Sequence, residues 1–106
     1  MRAELRAWLL AAHIDGVVGD EIVSAVTEAF VNAVEHPVDR AGGQVTVEGE
    51  MAGREVVFRV RDQGGWREKA DPSRGHYGYR LMEAQMDSVD VERSGSGTVV
   101  TLRRTL

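Results

Sequence analysis

The spacing of apolar residues changes several times along this chain, and each change marks an element. In residues 2–13, RAELRAWLLAAH, Leu5, Trp8, Leu9 and Ala12 recur at three- and four-residue intervals, the period of a helix with one buried side. DGVVGD (15–20) is rich in breakers and reads as a link. Asp20 then offers an N-cap to a second helix. Its Ile22, Val23, Val26, Ala29, Phe30, Ala33 and Val34 make a wide apolar face, and Pro37 ends it, because a residue before proline is driven out of the helical region.

The period then drops to two. In QVTVEGEM, Val45, Val47 and Met51 alternate with Thr46, Glu48 and Glu50. After a turn at Ala52-Gly53, Val56, Phe58 and Val60 alternate with Val57, Arg59 and Arg61, which predicts an antiparallel hairpin. DQGGWREKADPSRGH (62–76) has no period and reads as a functional loop. A third helix is expected over 77–87, YGYRLMEAQMD, and a second hairpin from SVDVER, the turn SGSG and TVVTLRR. The order α-α-β-β-α-β-β predicts an α+β fold: a two-layer sandwich with a mixed, largely antiparallel sheet and helices on one face.

Bulk properties narrow the function without naming it. The 106 residues fit one domain, 1–106, with no internal repeat. A formal charge of −4 argues against direct contact with nucleic acid, whose phosphates demand a basic surface. Charges at Arg2, Glu4 and Arg6 interrupt the first apolar stretch, so neither a signal peptide nor a membrane span is expected, and a cytoplasmic setting follows. There is no cysteine, and His13, His36 and His76 have no metal-ligand spacing, which leaves no zinc site.

Four local constellations carry candidate chemistry. Glu28, Asn32 and Glu35 stack on one side of the second helix without a Lys or Arg among them. Asn32 offers a neutral oxygen to a hard cation, and Glu28 a carboxylate to take a proton; a polar helix edge in water is the plainer account. Asp62 ends a strand in phase with Val56, Phe58 and Val60, so it points toward the core, where burial is costly unless a donor meets it. A purine's exocyclic amine is such a donor, and Gly64 and Gly65 would admit a flat ring; a simple turn explains the same residues. Gly75 and Gly78 lead into the third helix, whose first turn suits an anion, or else form an ordinary entry loop. Thr98 opens the last strand behind two glycines, as a ligand contact or as a β-branched residue after a tight turn.

Taken in order, TEAFVNAVEH, VRDQGGWR, YGYRLMEAQMDSVDVE and GTVVTLRR resemble the GHKL ATPase superfamily and, within it, the small anti-sigma-factor serine kinases of bacteria. The resemblance runs from about residue 3 to the C-terminus. It implies the Bergerat-type ATP-binding fold, with ATP and Mg²⁺ as cofactors. Asn32 matches the Mg²⁺ ligand, Glu28 the catalytic base, and Asp62 the adenine-recognising aspartate, with Gly64 and Gly65 beside it. Gly75 and Gly78 match the second glycine box around the phosphates, and Thr98 the threonine at the adenine end. The implied activity is phosphorylation of a serine on an anti-sigma-factor antagonist. A sigma factor is the second partner, and a homodimer the common assembly.

The sequence also departs from that pattern. Trp66 stands where the first box has its second glycine, and His76 where the second box has one. The lid between the boxes is short. These departures support an alternative: a degenerate, non-catalytic regulatory module that acts by protein contact. No counterpart of the family's first strand, before helix 1, is expected in this sequence, which points either to a fragment of a longer chain or to a sheet edge formed otherwise.

Overall fold

A computed structural model describes the backbone of residues 1–35, 45–62, 72–94 and 97–106, and side chains over 1–33, 45–62, 79–93 and 97–106. The elements run α1 (Arg2–Ala11), α2 (Gly16–Glu35), β1 (Val45–Ala52), β2 (Glu55–Asp62), α3 (Pro72–Gln85), β3 (Ser88–Ser94) and β4 (Gly97–Thr105). The strands form one sheet in the order β1-β2-β4-β3. All three pairings are antiparallel, so the expected mixture of directions is absent among the described strands.

Helix α1 buries Leu5 and Leu9 and closes with a tight C-terminal motif. His13 adopts φ 62°, its N–H donates to the Leu10 carbonyl, and the Ile14 N–H reaches back to Leu9 at 2.8 Å. Buried Leu9 and Ile14 supply the apolar contact that accompanies such a Schellman ending. The reversal is so short that α2 begins at Gly16, one turn before the expected N-cap. Asp20 is therefore not a cap: it lies inside α2 and pairs with Arg6 of α1 at 3.0 Å.

Helix α2 is the centre of the molecule, packed against both other helices and the sheet, which explains its apolar breadth. Below it, Val56, Phe58, Val60, Val100, Leu102 and Val89 face the helices. Phe58 meets Trp8 edge-on, with ring centroids 5.1 Å apart. Across the ladder from Phe58 stands Gly49, where a Cβ would come within 2.6 Å of the ring. The ring thus lies over bare β1 backbone. Gly53, at φ 64°, opens the two-residue turn Gly53-Arg54, one position later than expected. Met51, expected to face the core, is exposed near that turn.

The other sheet face is charged. Arg59 pairs with Glu50, Arg61 with Glu48 and Arg103 with Glu55. Val57 is nonetheless buried there, between its ladder partners Glu50 and Arg103.

The third helix differs most from expectation. It starts at Pro72 rather than residue 77, so 72–76 is helix and not loop. Proline suits a first helical turn, where its missing N–H costs nothing. In its later turns Met82 is buried and Leu81 half-buried while Ala84 is exposed, and Met86, just past the helix end, is buried again. The helix stops at Gln85, and the Asp87 N–H already joins the sheet through the Arg103 carbonyl.

Candidate functional site

Which end of the sandwich the candidate residues occupy follows from one arginine. Arg104, near the end of β4, donates to the Gln85 carbonyl at 2.5 Å and pairs with Glu21 of α2 at 3.3 Å. That pins the start of α2 and the end of α3 to the end of β4. Thr98 lies six residues back along β4, about 20 Å away at ~3.3 Å per residue. Asn32 lies eleven residues along α2, about 16 Å away at ~1.5 Å per residue. Phe30 shares a cleft with Val45, the ladder partner of Asp62, which confirms the direction of α2. The second half of α2, Asp62 and Thr98 therefore share the end opposite the arginine.

Asp62 and Thr98 are direct ladder partners on β2 and β4. Both face the helices, and both are buried, at 4% and 1% exposure. Opposite residues of an antiparallel pair hold their Cβ atoms about 5 Å apart. A carboxylate that accepts and a hydroxyl that also donates thus stand side by side, a set that matches a heterocycle edge carrying an amine next to a ring nitrogen.

On α2, Ser24, Glu28 and Asn32 form one row at four-residue spacing. Ser24 accepts a hydrogen bond from the Gln85 side chain at 3.0 Å, so the row begins on the side facing α3. Glu28 and Asn32 are half-buried and keep part of their surface accessible. Among the described residues no group of three His, Cys, Asp or Glu could hold a metal by itself. A lone amide oxygen with a carboxylate nearby still fits Mg²⁺, which keeps waters and takes substrate phosphates as ligands.

The glycines are placed differently from the expectation. Gly75 lies within α3, not in the loop expected over 62–76, and Gly78, expected in the first turn of the helix, is the seventh residue of α3. A helix beginning at Pro72 engages their N–H groups in its own bonds, so here they offer none to an anion. Gly64, Gly65 and Trp66 lie outside the described residues, as does the side chain of His76.

Two features were missed from sequence. Thr27, next to Glu28, is buried at 8% exposure, and its Oγ1 finds no hydrogen-bond partner among the described residues. A Thr within an apolar helix face was the available signal, obscured by the charged residues around it. Arg104 is the second. Its role in joining three elements depends on contacts far apart in sequence.

Comparison with known proteins places this geometry. Residues 1–104 match the family described as histidine kinase-like ATPase domain. An anti-sigma F factor of Clostridium acetobutylicum is 30% identical over 98 residues, covering 80% of this chain and 68% of that protein. An anti-sigma F factor of a Thermoanaerobacter species is 26% identical, covering 89% and 76%. The blue-light activated histidine kinase of Erythrobacter litoralis EL346 superposes with a TM-score of 0.73 at 24% identity, over 98% of this chain. The chain spans 40% of that kinase's length, and the likeness is one of fold.

Proposed function

The chain belongs to the histidine kinase-like ATPase domain family, and from that premise we propose that it is an ATP-binding anti-sigma regulatory factor that phosphorylates a serine of an anti-sigma-factor antagonist. The observation that carries the nucleotide reading is the buried Asp62–Thr98 pair. Asp62 accepts from the adenine amine, and Thr98 supports the same edge. Asn32 holds Mg²⁺ through its amide oxygen. When bound, the ion supplies positive charge against the phosphate tail. Glu28 accepts the proton of the attacking serine hydroxyl as its oxygen bonds the γ-phosphorus and the bond to the bridging oxygen breaks, releasing ADP. The similarity to anti-sigma F factors supports a sigma factor as one partner; the antagonist as phosphoryl acceptor and a homodimer as the assembly are part of the same proposal.

Titration with ATP and Mg²⁺, followed by phosphoryl transfer from radiolabelled ATP to candidate antagonists, tests this reading. Binding in the micromolar range, about −8 kcal/mol, is expected. Transfer is expected to fall at least about 100-fold in Glu28→Gln, the scale of general base catalysis. Binding without label on any serine would sink the kinase claim.

A second reading rests on Gly75 and Gly78 being inside α3. With those amides committed, the chain regulates by protein contact alone. Calorimetry that finds no ATP binding at millimolar nucleotide favours it.

A further inference from the structure

Thr98 has a direct ladder partner on each side: Asp62 on β2 and Arg93 on β3. Residues directly opposite one another in antiparallel strands share a face of the sheet. Val91, two residues before Arg93, packs against the core, so the alternation along β3 also turns Arg93 toward the helices. One row across the floor of the sandwich therefore reads carboxylate, hydroxyl, guanidinium.

The row changes character along its length. Asp62 and Thr98 are buried, whereas Arg93 is exposed. Helix α2 packs on β1, β2 and β4, and α3 packs on β3, so the seam between the two helices runs above this row with Arg93 on the α3 side. Glu28 and Asn32 belong to the α2 row that faces α3, on the other side of the same seam. The position along α3 follows from Tyr79, whose hydroxyl donates to the Val89 carbonyl at 2.9 Å. Arg93 lies four residues farther along β3, about 13 Å at ~3.3 Å per residue. Pro72 lies seven residues back along α3, about 10 Å at ~1.5 Å per residue. Arg93 thus sits beneath the start of α3.

A nucleoside triphosphate brings an uncharged base and a tail with several negative charges. The buried Asp62–Thr98 pair suits the base, but the carboxylates of Asp62 and Glu28 repel the tail. Gly75 and Gly78 commit their amides to α3 and do not offset that repulsion. Arg93 supplies the cation of the row, at its open end, and a planar guanidinium can give two parallel N–H bonds to phosphate oxygens. We propose that Arg93 binds the phosphate tail of the nucleotide from the α3 side, an assignment that rests on the nucleotide reading of this site. The base then lies over Asp62 and Thr98, and the tail runs between Arg93 and the α2 row.

The test titrates adenosine, AMP and ATP, each with Mg²⁺, into the parent chain, Arg93→Gln and Arg93→Lys, followed by NMR, with folding checked by thermal melts. Arg93→Gln should weaken ATP about tenfold and AMP less, while adenosine stays within about twofold. Arg93→Lys should keep most of the ATP affinity, because the charge remains and only the planar fork is lost. In the parent chain, which needs no substitution, ATP should shift the Arg93 Nε–H signal well beyond the shift given by adenosine. An unchanged ATP affinity in Arg93→Gln would overturn the assignment. Equal losses for adenosine and ATP would also overturn it, leaving Arg93 a structural support of the floor. A parent chain that binds neither ligand would instead remove the nucleotide reading itself, and this assignment with it.

Discussion

The two ends of the α2–sheet sandwich use polar residues in opposite ways. At one end, Arg104 joins Glu21 and the Gln85 carbonyl, the Gln85 side chain reaches Ser24, and Asp87 accepts from the Thr105 N–H. These links tie α2, α3, β3 and β4 together across long stretches of sequence. At the other end, Asp62 and Thr98 are buried in the ladder, while Glu28 and Asn32 sit half-covered on α2. The first end spends its polar groups on holding elements in place. The second keeps acceptors where a bound molecule would meet them. Burial of polar groups that contributes little to folding is a common mark of a site shaped by binding.

Breaking the pinned end should give the largest effect. Arg104→Ala removes a donor to a helix-terminal carbonyl and leaves Glu21 without its cation. A loss of about 1.5–3 kcal/mol is expected, the range for hydrogen bonds to charged groups, read as a lower urea midpoint. Nucleotide affinity per folded molecule should stay the same. A matching fall in affinity would show that the two ends are not separable.

The opposite pattern is expected at the other end. Asp62→Asn replaces a pure acceptor with a mixed group and should weaken ATP by about tenfold or more, roughly 1.4 kcal/mol, and GTP by less. Stability should change by less than about 1 kcal/mol, because the substitution removes the cost of burying a charge along with whatever the carboxylate contributes. Asn32→Ala should abolish the Mg²⁺ dependence of binding without lowering the melting temperature. Equal losses for ATP and GTP would leave Asp62 a structural role only.

Much of this contrast was legible in the sequence because it depends on period. The phase of Val56, Phe58 and Val60 places Asp62 on the core side, and four-residue spacing puts Glu28 and Asn32 on one side of α2. The failures fall where local chemistry has two solutions. Gly75, with the Pro and charges around it, suggested a loop by composition, yet a helix beginning at Pro72 absorbs it. DGVVGD read as a link, yet an imidazole-bearing residue at positive φ closes α1 so sharply that α2 begins within it. Arg104 could not be assigned at all, since its partners lie 19 and 83 residues away.

That sharp closure offers a smaller, opposite-signed test at the pinned end, where α2 begins. His13 holds φ 62° without being glycine, in a region side chains enter at some cost. His13→Gly should relieve that cost and raise stability by about 0.5–1 kcal/mol, after allowing for the extra freedom of the unfolded chain. Thermal melts should rise by a few degrees, roughly 2–6 °C for a domain of this size. A fall would mean that the imidazole contributes a contact worth more than the strain.

The smallest effect concerns Asp87, and it depends on pH. The Thr105 backbone N–H, then the Thr105 hydroxyl, and to a lesser degree the Arg104 charge, hold this carboxyl below its ordinary value of 3.8. A carboxylate with a lowered native pKa binds fewer protons folded than unfolded in acid. Its contribution is therefore complete above the unfolded value and disappears as pH falls through the native one. Asp87→Asn keeps a carbonyl oxygen for the Thr105 N–H but loses the charge. Its melting temperature should lie slightly below that of the parent chain at neutral pH, and the two should converge as the buffer is taken below 3.8. A gap that persisted in acid would assign the difference to shape rather than charge. The charge-dependent hold at the pinned end would then rest on Arg104, and salt should weaken it only through the Glu21 pair.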